Sequence, residues 1–194
     1  MKPKILSFAG STRQDSLHRR LALEAAHALQ AAGAEVTFAD LRDYQMPLYD
    51  GDLESAQGLP AAAKAFKELL RQHDGLVIAS PEYNGSFTAL LKNAIDWSSR
   101  PEAGEPPLAA FRGKQAAILS ASPGPGGGSR GLRHLRELLE MIGVKVIPEQ
   151  LTVARATQAF DSQGKLARTE DAEAIRNIAA SLTQAIGGSV AVAA

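Results

Sequence analysis

Apolar segments alternate with segments of helical periodicity along most of the chain. Residues 5–9 form a short apolar run that is typical of a strand buried on both faces. Apolar residues then recur at helical spacing from Leu17 to Leu29, and Gly33 supplies a helix end. The pattern therefore predicts a strand, a polar loop and an amphipathic helix in succession.

The same alternation continues towards the C-terminus. Residues 40–60 are rich in Pro, Gly and Asp and predict an irregular surface loop, whereas residues 187–194 predict a frayed tail. Apolar runs predict further strands at 35–39, 75–80, 115–121 and 144–147, and helical spacing predicts further helices at 61–71, 87–97, 130–142 and 171–186.

Five strands alternating with five helices favour an α/β fold. Strands that are apolar on both faces belong in a parallel sheet covered by helices on both sides. A chain of 194 residues suits one domain, which we assign to residues 1–186. Ligands of such sheets bind beyond the carboxyl ends of the strands, so the loops at those ends are the candidate site.

Composition excludes several classes of function. Lys plus Arg and Asp plus Glu both number 21, so no overall field attracts nucleic acid or an anionic membrane. The chain has no cysteine, which excludes disulfides, iron–sulfur clusters and dithiol chemistry, so a redox function needs a cofactor. Its four histidines lack the spacing of a metal site, and no metal is predicted. The absence of long apolar runs predicts a cytoplasmic protein without a membrane span.

The loop after the first strand, GSTRQDS at 10–16, is rich in groups that bind anions. It leads into a helix N-terminus, where unpaired N–H groups and a partial positive charge stabilise a phosphate. Ser11 and Ser16 add hydroxyl donors, and Arg13 adds a charged planar fork. This pattern predicts a phosphate site. The alternative is that Ser16 is only a helix cap and Gly10 only a turn residue.

The loop after the third strand, SPEYNGS at 80–86, combines a turn with an aromatic side chain. Asn84 and Gly85 form a typical turn dipeptide, and Tyr83 offers an aromatic surface beside exposed amides. Such a loop can hold a flat ring by its edge. The alternative is an ordinary turn between a strand and a helix.

The loop after the fourth strand, at 120–131, is rich in glycine and proline. Residues 124–129 imitate a dinucleotide-binding motif, with Glu149 as the acid that would bind the ribose. The two prolines of the loop remove amide donors that a pyrophosphate needs. We therefore predict a wall against a flat ligand, with Ser122 bonding its edge.

The chain resembles the NADPH-dependent FMN reductase family of the flavodoxin-like fold, from Lys4 to about Glu149. That family includes bacterial flavoenzymes that reduce quinones, chromate and azo dyes. The resemblance implies a single three-layer domain with a five-stranded parallel sheet in the order 2-1-3-4-5, which places the first two polar loops side by side. It is carried by GSTRQDS at 10–16, PEYNGS at 81–86, LKNAIDWSSR at 91–100 and GGSR at 127–130.

The resemblance also implies which residues bind FMN. It implies that Ser11, Arg13 and Ser16 bind the phosphate, with the backbone of Leu17 close by. No catalytic side chain is assigned, because the flavin carries the chemistry of hydride transfer. The residues that the resemblance places against the flavin ring are Pro81, Glu82, Tyr83, Asn84, Gly85, Ser86 and Ser122.

The predicted function is that of an NAD(P)H oxidoreductase. Hydride from NADPH or NADH reduces bound FMN, and a quinone-like, chromate, azo or free-flavin acceptor then takes the electrons in a ping-pong mechanism. One alternative is a flavodoxin-like electron carrier, although carriers of this type usually use an acidic face, whereas this chain is balanced in charge. The other is a regulatory relative without a cofactor. A homodimer or homotetramer is expected. Tyr44 and Tyr49 either reach a partner's ligand or pack within their own loop.

Overall fold

The apolar runs form five parallel strands in the computed structural model of the chain, which describes residues 2–192. The strands pair in the order β2-β1-β3-β4-β5, as predicted. Their bounds are β1 Lys4–Ala9, β2 Glu35–Ala39, β3 Gly75–Ala79, β4 Gln115–Ser122 and β5 Lys145–Ala154.

Helices cover both faces of this sheet. Leu21 and Leu182 are buried against one face, and Phe66, Leu91 and Leu135 are buried against the other. Two apolar layers therefore separate the sheet from its helices, which confirms the predicted three-layer fold. The helices are α1 Leu17–Ala31, α2 Gly51–Gln57, α3 Ala61–Arg71, α4 Ala89–Ser98, α5 Ser129–Met141 and α6 Thr169–Val192, with single 3₁₀ turns at Leu41–Asp43 and Ala156–Gln158.

Helix α2 lies within the segment predicted to be an irregular loop, so that prediction was wrong for residues 51–57. The Asp50 carboxylate caps the helix by accepting hydrogen bonds from the N–H groups of Asp52 and Leu53. Arg100, far along the chain, donates to Glu54 of α2 at 2.9 Å. A short helix without buried residues needs such tertiary support, which local composition does not reveal.

The two tyrosines of residues 40–60 pack within their own chain. Tyr44 contacts Phe66 of α3, with ring centroids 5.2 Å apart. Tyr49 contacts Trp97 of α4, with centroids 5.0 Å apart. Trp97 is itself fully buried and donates its indole N–H to the Pro47 carbonyl at 2.8 Å. These contacts agree with the loop-packing alternative.

Strand β5 is much longer than the predicted strand at 144–147. It continues through Pro148 and Glu149, and its ladder with β4 shifts register around these residues. An edge strand tolerates a proline and exposed polar side chains, because one side of its backbone has no strand partner. Glu149 accepts a hydrogen bond from Ser181 of α6 at 3.1 Å. Its carboxylate is therefore engaged by a helix and not by the glycine-rich loop.

Helix α6 begins at Thr169 and continues to Val192, past the end predicted at Ile186. The last two residues of the predicted frayed tail lie outside the described residues. From residue 2 to residue 192, no helix combines the length and the apolar character that crossing a bilayer requires.

Candidate functional site

Three polar loops meet at the carboxyl ends of β1, β3 and β4, which are neighbours in the sheet. They enclose a cleft of about 110 Å³. The cleft contains eight of the eleven residues predicted to bind FMN, whereas Asn84, Gly85 and Ser86 lie outside its lining. It is lined by Ser11, Arg13, Ser16, Leu17, His18, Pro81, Glu82, Tyr83, Ala121, Ser122 and Pro123.

The first loop is held in place by neighbouring elements. The N–H of Gly10 donates to the carbonyl of Ala79 at 2.9 Å, and the hydroxyl of Thr88 donates to the Gly10 carbonyl at 2.8 Å. A side chain at Gly10 would lie 3.1 Å from both Thr88 Oγ1 and Leu91 Cβ. Glycine therefore lets the loop approach α4 closely.

Ser16 is the N-cap of α1, as the alternative interpretation of the first loop predicted. Its Oγ accepts from the N–H of Arg19 at 3.2 Å, which leaves the hydroxyl proton free to donate to a ligand. The N–H groups of Leu17 and His18 precede the first intrahelical hydrogen bond and so remain open to an anion. The cap and the predicted phosphate contact are therefore compatible.

Arg13 supplies the positive charge of the cleft. Its side chain is exposed, and within residues 2–192 it forms no ion pair. The backbone N–H of Arg13 donates a long hydrogen bond of 3.4 Å to Ser11 Oγ. Since the described chain supplies no counter-charge, the guanidinium is available to an anionic ligand.

The second loop closes in a tight turn between Tyr83 and Ser86. These two residues exchange backbone hydrogen bonds of 2.9 and 3.1 Å. Asn84 and Gly85 between them have φ angles of +52° and +80°, the combination that an Asn-Gly turn favours. The turn leaves the side chain of Tyr83 55% exposed at the rim of the cleft. An exposed aromatic surface therefore borders the site, as predicted.

Glu82 ties the second loop to the third. Its Oε2 accepts from the N–H of Gly131 at 2.9 Å, in the first turn of α5. A carboxylate in this position stabilises a helix N-terminus. Ser86 also contacts α5, with Oγ 3.4 Å from His134 Nδ1. These two side chains therefore position the loop against α5.

Gly128 of the third loop is required by packing. Gly128 has a φ angle of +91°, and a side chain there would come within 2.0 Å of Ser120 Oγ. That hydroxyl donates to the Ser80 carbonyl at 2.7 Å, which joins β4 to the second loop. Ser122 lines the cleft, and its Oγ accepts from the N–H of Gly124 at 3.2 Å. The loop is thus a close-packed wall.

Three residues of the lining were not in the predicted binding set, namely His18, Ala121 and Pro123, and His18 is the polar one among them. Sequence analysis treated it only as one of four histidines without the spacing of a metal site, yet it is 7% exposed and lines the cleft. Its Nε2 accepts from the N–H of Ala121 at 3.1 Å. Burial, together with the charge of Arg13, lowers the pKa of His18 to about 4, so the ring is neutral at pH 7. Its place two residues after Ser16 was the available signal.

The chemistry of the cleft fits the phosphate end of FMN. It offers hydroxyls, a free guanidinium and the amides of a helix N-terminus, all of which bind phosphate oxygens. The cleft is smaller than the ~300 Å³ at which whole small-molecule sites begin. A flat ring would therefore lie at its open rim, where Tyr83 is exposed.

Comparison with known proteins gives consistent matches. The NADPH-dependent FMN reductase family matches residues 3–158. An NAD(P)H-dependent FMN reductase of Pseudomonas aeruginosa is 41% identical over 84% of this chain and 84% of its own. A quinone reductase of Escherichia coli K12 is 38% identical over 75% of this chain and 74% of its own.

A solved structure shares the whole architecture. The flavoenzyme NAD(P)H:(acceptor) oxidoreductase of Paracoccus denitrificans superposes with a TM-score of 0.79 at 25% identity. The match covers 96% of this chain and 98% of that one. With the family matching most of the sequence and the fold shared throughout, this chain belongs to the NADPH-dependent FMN reductase family.

Proposed function

We propose that this chain passes hydride from a reduced nicotinamide to FMN bound at the cleft, and then electrons to a quinone-like, chromate, azo or free-flavin acceptor. Family membership makes it an oxidoreductase that uses FMN with NADPH or NADH. The main support for the rest of the proposal is the cleft, where phosphate-binding groups and an exposed aromatic ring meet at the ends of three central strands.

The first loop would hold the phosphate of the cofactor. Ser11 and Ser16 donate hydroxyl protons, and Arg13 contributes a charge that is not neutralised by the described residues. The N–H of Leu17 completes the set at the helix N-terminus. These groups anchor the cofactor at one end, which leaves its ring at the open rim.

The second and third loops would orient the ring. The N–H groups of Tyr83 and Ser86 are engaged within their turn. Those of Asn84 and Gly85 have no partner in the described chain and would be the ones left to donate to the ring. Amide donors fixed in this way stabilise negative charge, as in an oxyanion hole. Bound FMN supplies the hydride and electron-transfer chemistry, so no side chain need act as an acid or base in that step.

A single open face for both substrates predicts ping-pong kinetics. In initial-rate measurements with NADPH and a benzoquinone, we expect parallel lines in double-reciprocal plots. Anaerobic NADPH should bleach the oxidised flavin absorbance, and adding the quinone should restore it. Converging lines would contradict the shared face.

The same titration separates the alternative functions. A carrier would bind FMN but consume no NADPH with a quinone, and a regulatory relative would bind no flavin. Comparing NADH with NADPH in the anaerobic step gives the nicotinamide preference. Substituting chromate, an azo dye or free flavin for the quinone ranks the acceptors.

A homodimer or homotetramer remains our prediction for the assembly. Leu48 is 78% exposed beside Tyr49, in a segment attached to α4 through Asn93. A second copy covering this side chain would remove apolar surface from water. Light scattering on the purified protein should give two or four times the chain mass of 20.5 kDa, and a single chain mass would contradict the prediction.

The cytoplasmic location also stays a prediction.

A further inference from the structure

Arg155 has a backbone conformation that arginine rarely adopts. It follows β5 directly, and its φ and ψ angles of +49° and +44° lie in the left-handed helical region. A glycine would adopt these angles without strain, whereas a residue with a side chain is strained there. Strain of this kind is a reason to look for a function of the side chain that is kept in place.

Hydrogen bonds fix the turn at Arg155 beside the third loop. The N–H of Arg155 donates to the carbonyl of Gly124 at 3.2 Å. The carbonyl of Arg155 accepts from the N–H of Gln158, also at 3.2 Å. The backbone is therefore held on both sides, and the base of the side chain has a defined position.

The register of the sheet places this position at the rim of the cleft. Ala154, the residue before Arg155, pairs with Ser122 of β4, which lines the cleft. Strand β5 lies three strand spacings from β1, which is about 14 Å. That distance exceeds the length of an arginine side chain. Arg155 is therefore separate from the predicted phosphate site in the loop at 10–16.

The guanidinium of Arg155 is exposed and uncompensated. It forms no ion pair and no side-chain hydrogen bond with the described residues. The loops around it, at 10–16, 80–86, 120–131 and 155–158, contain three arginines and two acids, namely Arg13, Arg130 and Arg155 with Asp15 and Glu82. An anion that approaches this rim therefore meets positive charge, although the chain as a whole is balanced.

We propose that Arg155 binds a phosphate group of the reduced nicotinamide dinucleotide, either its diphosphate or the 2′-phosphate of NADPH. This inference rests on the proposed function, which brings the nicotinamide to the flavin at the open rim. A guanidinium offers a planar fork to two phosphate oxygens. The dinucleotide carries phosphates and a quinone carries none, so Arg155 favours the reductant over a quinone acceptor.

Arg155→Gly removes the guanidinium and relieves the backbone strain. Glycine keeps the N–H and the carbonyl that bond Gly124 and Gln158, so Tm should not fall below the wild-type value. In anaerobic reduction of the bound flavin, we expect the Kd for NADPH to rise about 5–10-fold, as for the loss of an exposed charge-assisted contact. The limiting rate of reduction should stay within roughly twofold, because the guanidinium binds a phosphate and not the reacting ring.

Dihydronicotinamide riboside, which has the reactive ring and no phosphate, is the comparison reductant. Its Kd should be equal in wild type and Arg155→Gly. A loss for NADPH alone assigns Arg155 to the 2′-phosphate, and an equal loss for NADPH and NADH assigns it to the diphosphate. Both results support the inference.

Lys145→Ala provides the matched control. Lys145 is an exposed cation at the start of the same strand, roughly 30 Å from Arg155. Its loss should change the Kd for NADPH by less than about twofold, as expected for a screened and distant charge. Arg155→Lys should lose less affinity than Arg155→Gly, because it keeps the charge and loses only the fork.

The outcomes distinguish this inference from the proposed function. An unchanged Kd for NADPH in Arg155→Gly overturns the inference, as does an equal loss for dihydronicotinamide riboside. A weaker affinity for FMN also overturns it, since Arg155 would then belong to the cofactor site. These results leave the proposed function intact, whereas wild-type FMN that neither NADPH nor NADH reduces overturns both. Should Arg155→Gly misfold, Arg155→Asn, which also tolerates positive φ, gives the same test.

Discussion

Arg13→Ala should weaken FMN binding about 10–100-fold while leaving the turnover of flavin-loaded molecules nearly unchanged. The guanidinium lies in the cleft without an ion pair from residues 2–192, so its full charge is available to the phosphate. Charge-assisted hydrogen bonds of this kind contribute about 1.5–3 kcal/mol. The loss falls on binding because the phosphate is remote from the reacting ring. Fluorescence quenching and single-turnover reduction measure the two quantities.

Arg20→Ala provides the matched control. Arg20 lies on α1, the helix that follows the loop of Arg13, and carries the same charge, but it lines a separate depression with Glu24 and His27. Its loss should change FMN affinity by less than about twofold, as expected for a screened and distant charge. Equal FMN affinity in Arg13→Ala and wild type would reject the phosphate role of Arg13.

Gly128→Ala should lower the free energy of unfolding by about 2–4 kcal/mol and impair the site at the same time. The new methyl group would meet Ser120 Oγ at 2.0 Å and Ser120 Cβ at 2.8 Å, at a residue with a φ angle of +91°. Strained backbone and overpacking each contribute roughly 1–3 kcal/mol. Displacing Ser120 also breaks its hydrogen bond to the Ser80 carbonyl. Urea unfolding and FMN titration measure the two effects.

Gly126→Ala tests whether the loop tolerates alanine in general. Gly126 belongs to the same loop and has no positive φ, and a methyl group on its Cα would point into space that is open for 4 Å. The substitution should change stability by less than about 0.5 kcal/mol. Adding Ser120→Gly to Gly128→Ala should restore part of the loss, because it removes both clashing atoms. A wild-type stability for Gly128→Ala alone would show that the wall is not close-packed.

The polar loops were predictable because their information is local. A run such as GSTRQDS places hydroxyls, a guanidinium and a helix N-terminus together whatever the rest of the chain does. The sheet order brought these loops into one cleft, as the resemblance implied. Asn84 and Gly85 likewise specify their turn, because few other residues adopt positive φ at both positions.

Other features depended on contacts between distant residues. Helix α2 is supported by Arg100, and β5 extends through Pro148 because it lies at a sheet edge. The role of Glu82 as a tie to Gly131 also appears only when α5 is in place. None of these contacts produces a periodic pattern in the sequence, since each joins segments far apart along the chain.

The sequence by itself determined the alternation of strands and helices and the chemistry of the three loops, because hydrophobic period and residue type act over a few neighbouring positions. The tertiary structure alone decided that His18 belongs to the site. Its burial and the charge of Arg13 keep the imidazole neutral, and its bond to Ala121, 103 residues away, occupies one of its two nitrogens. The protonation state of a side chain and the partners of its hydrogen bonds depend on its surroundings, and those surroundings exist only once the sheet has formed.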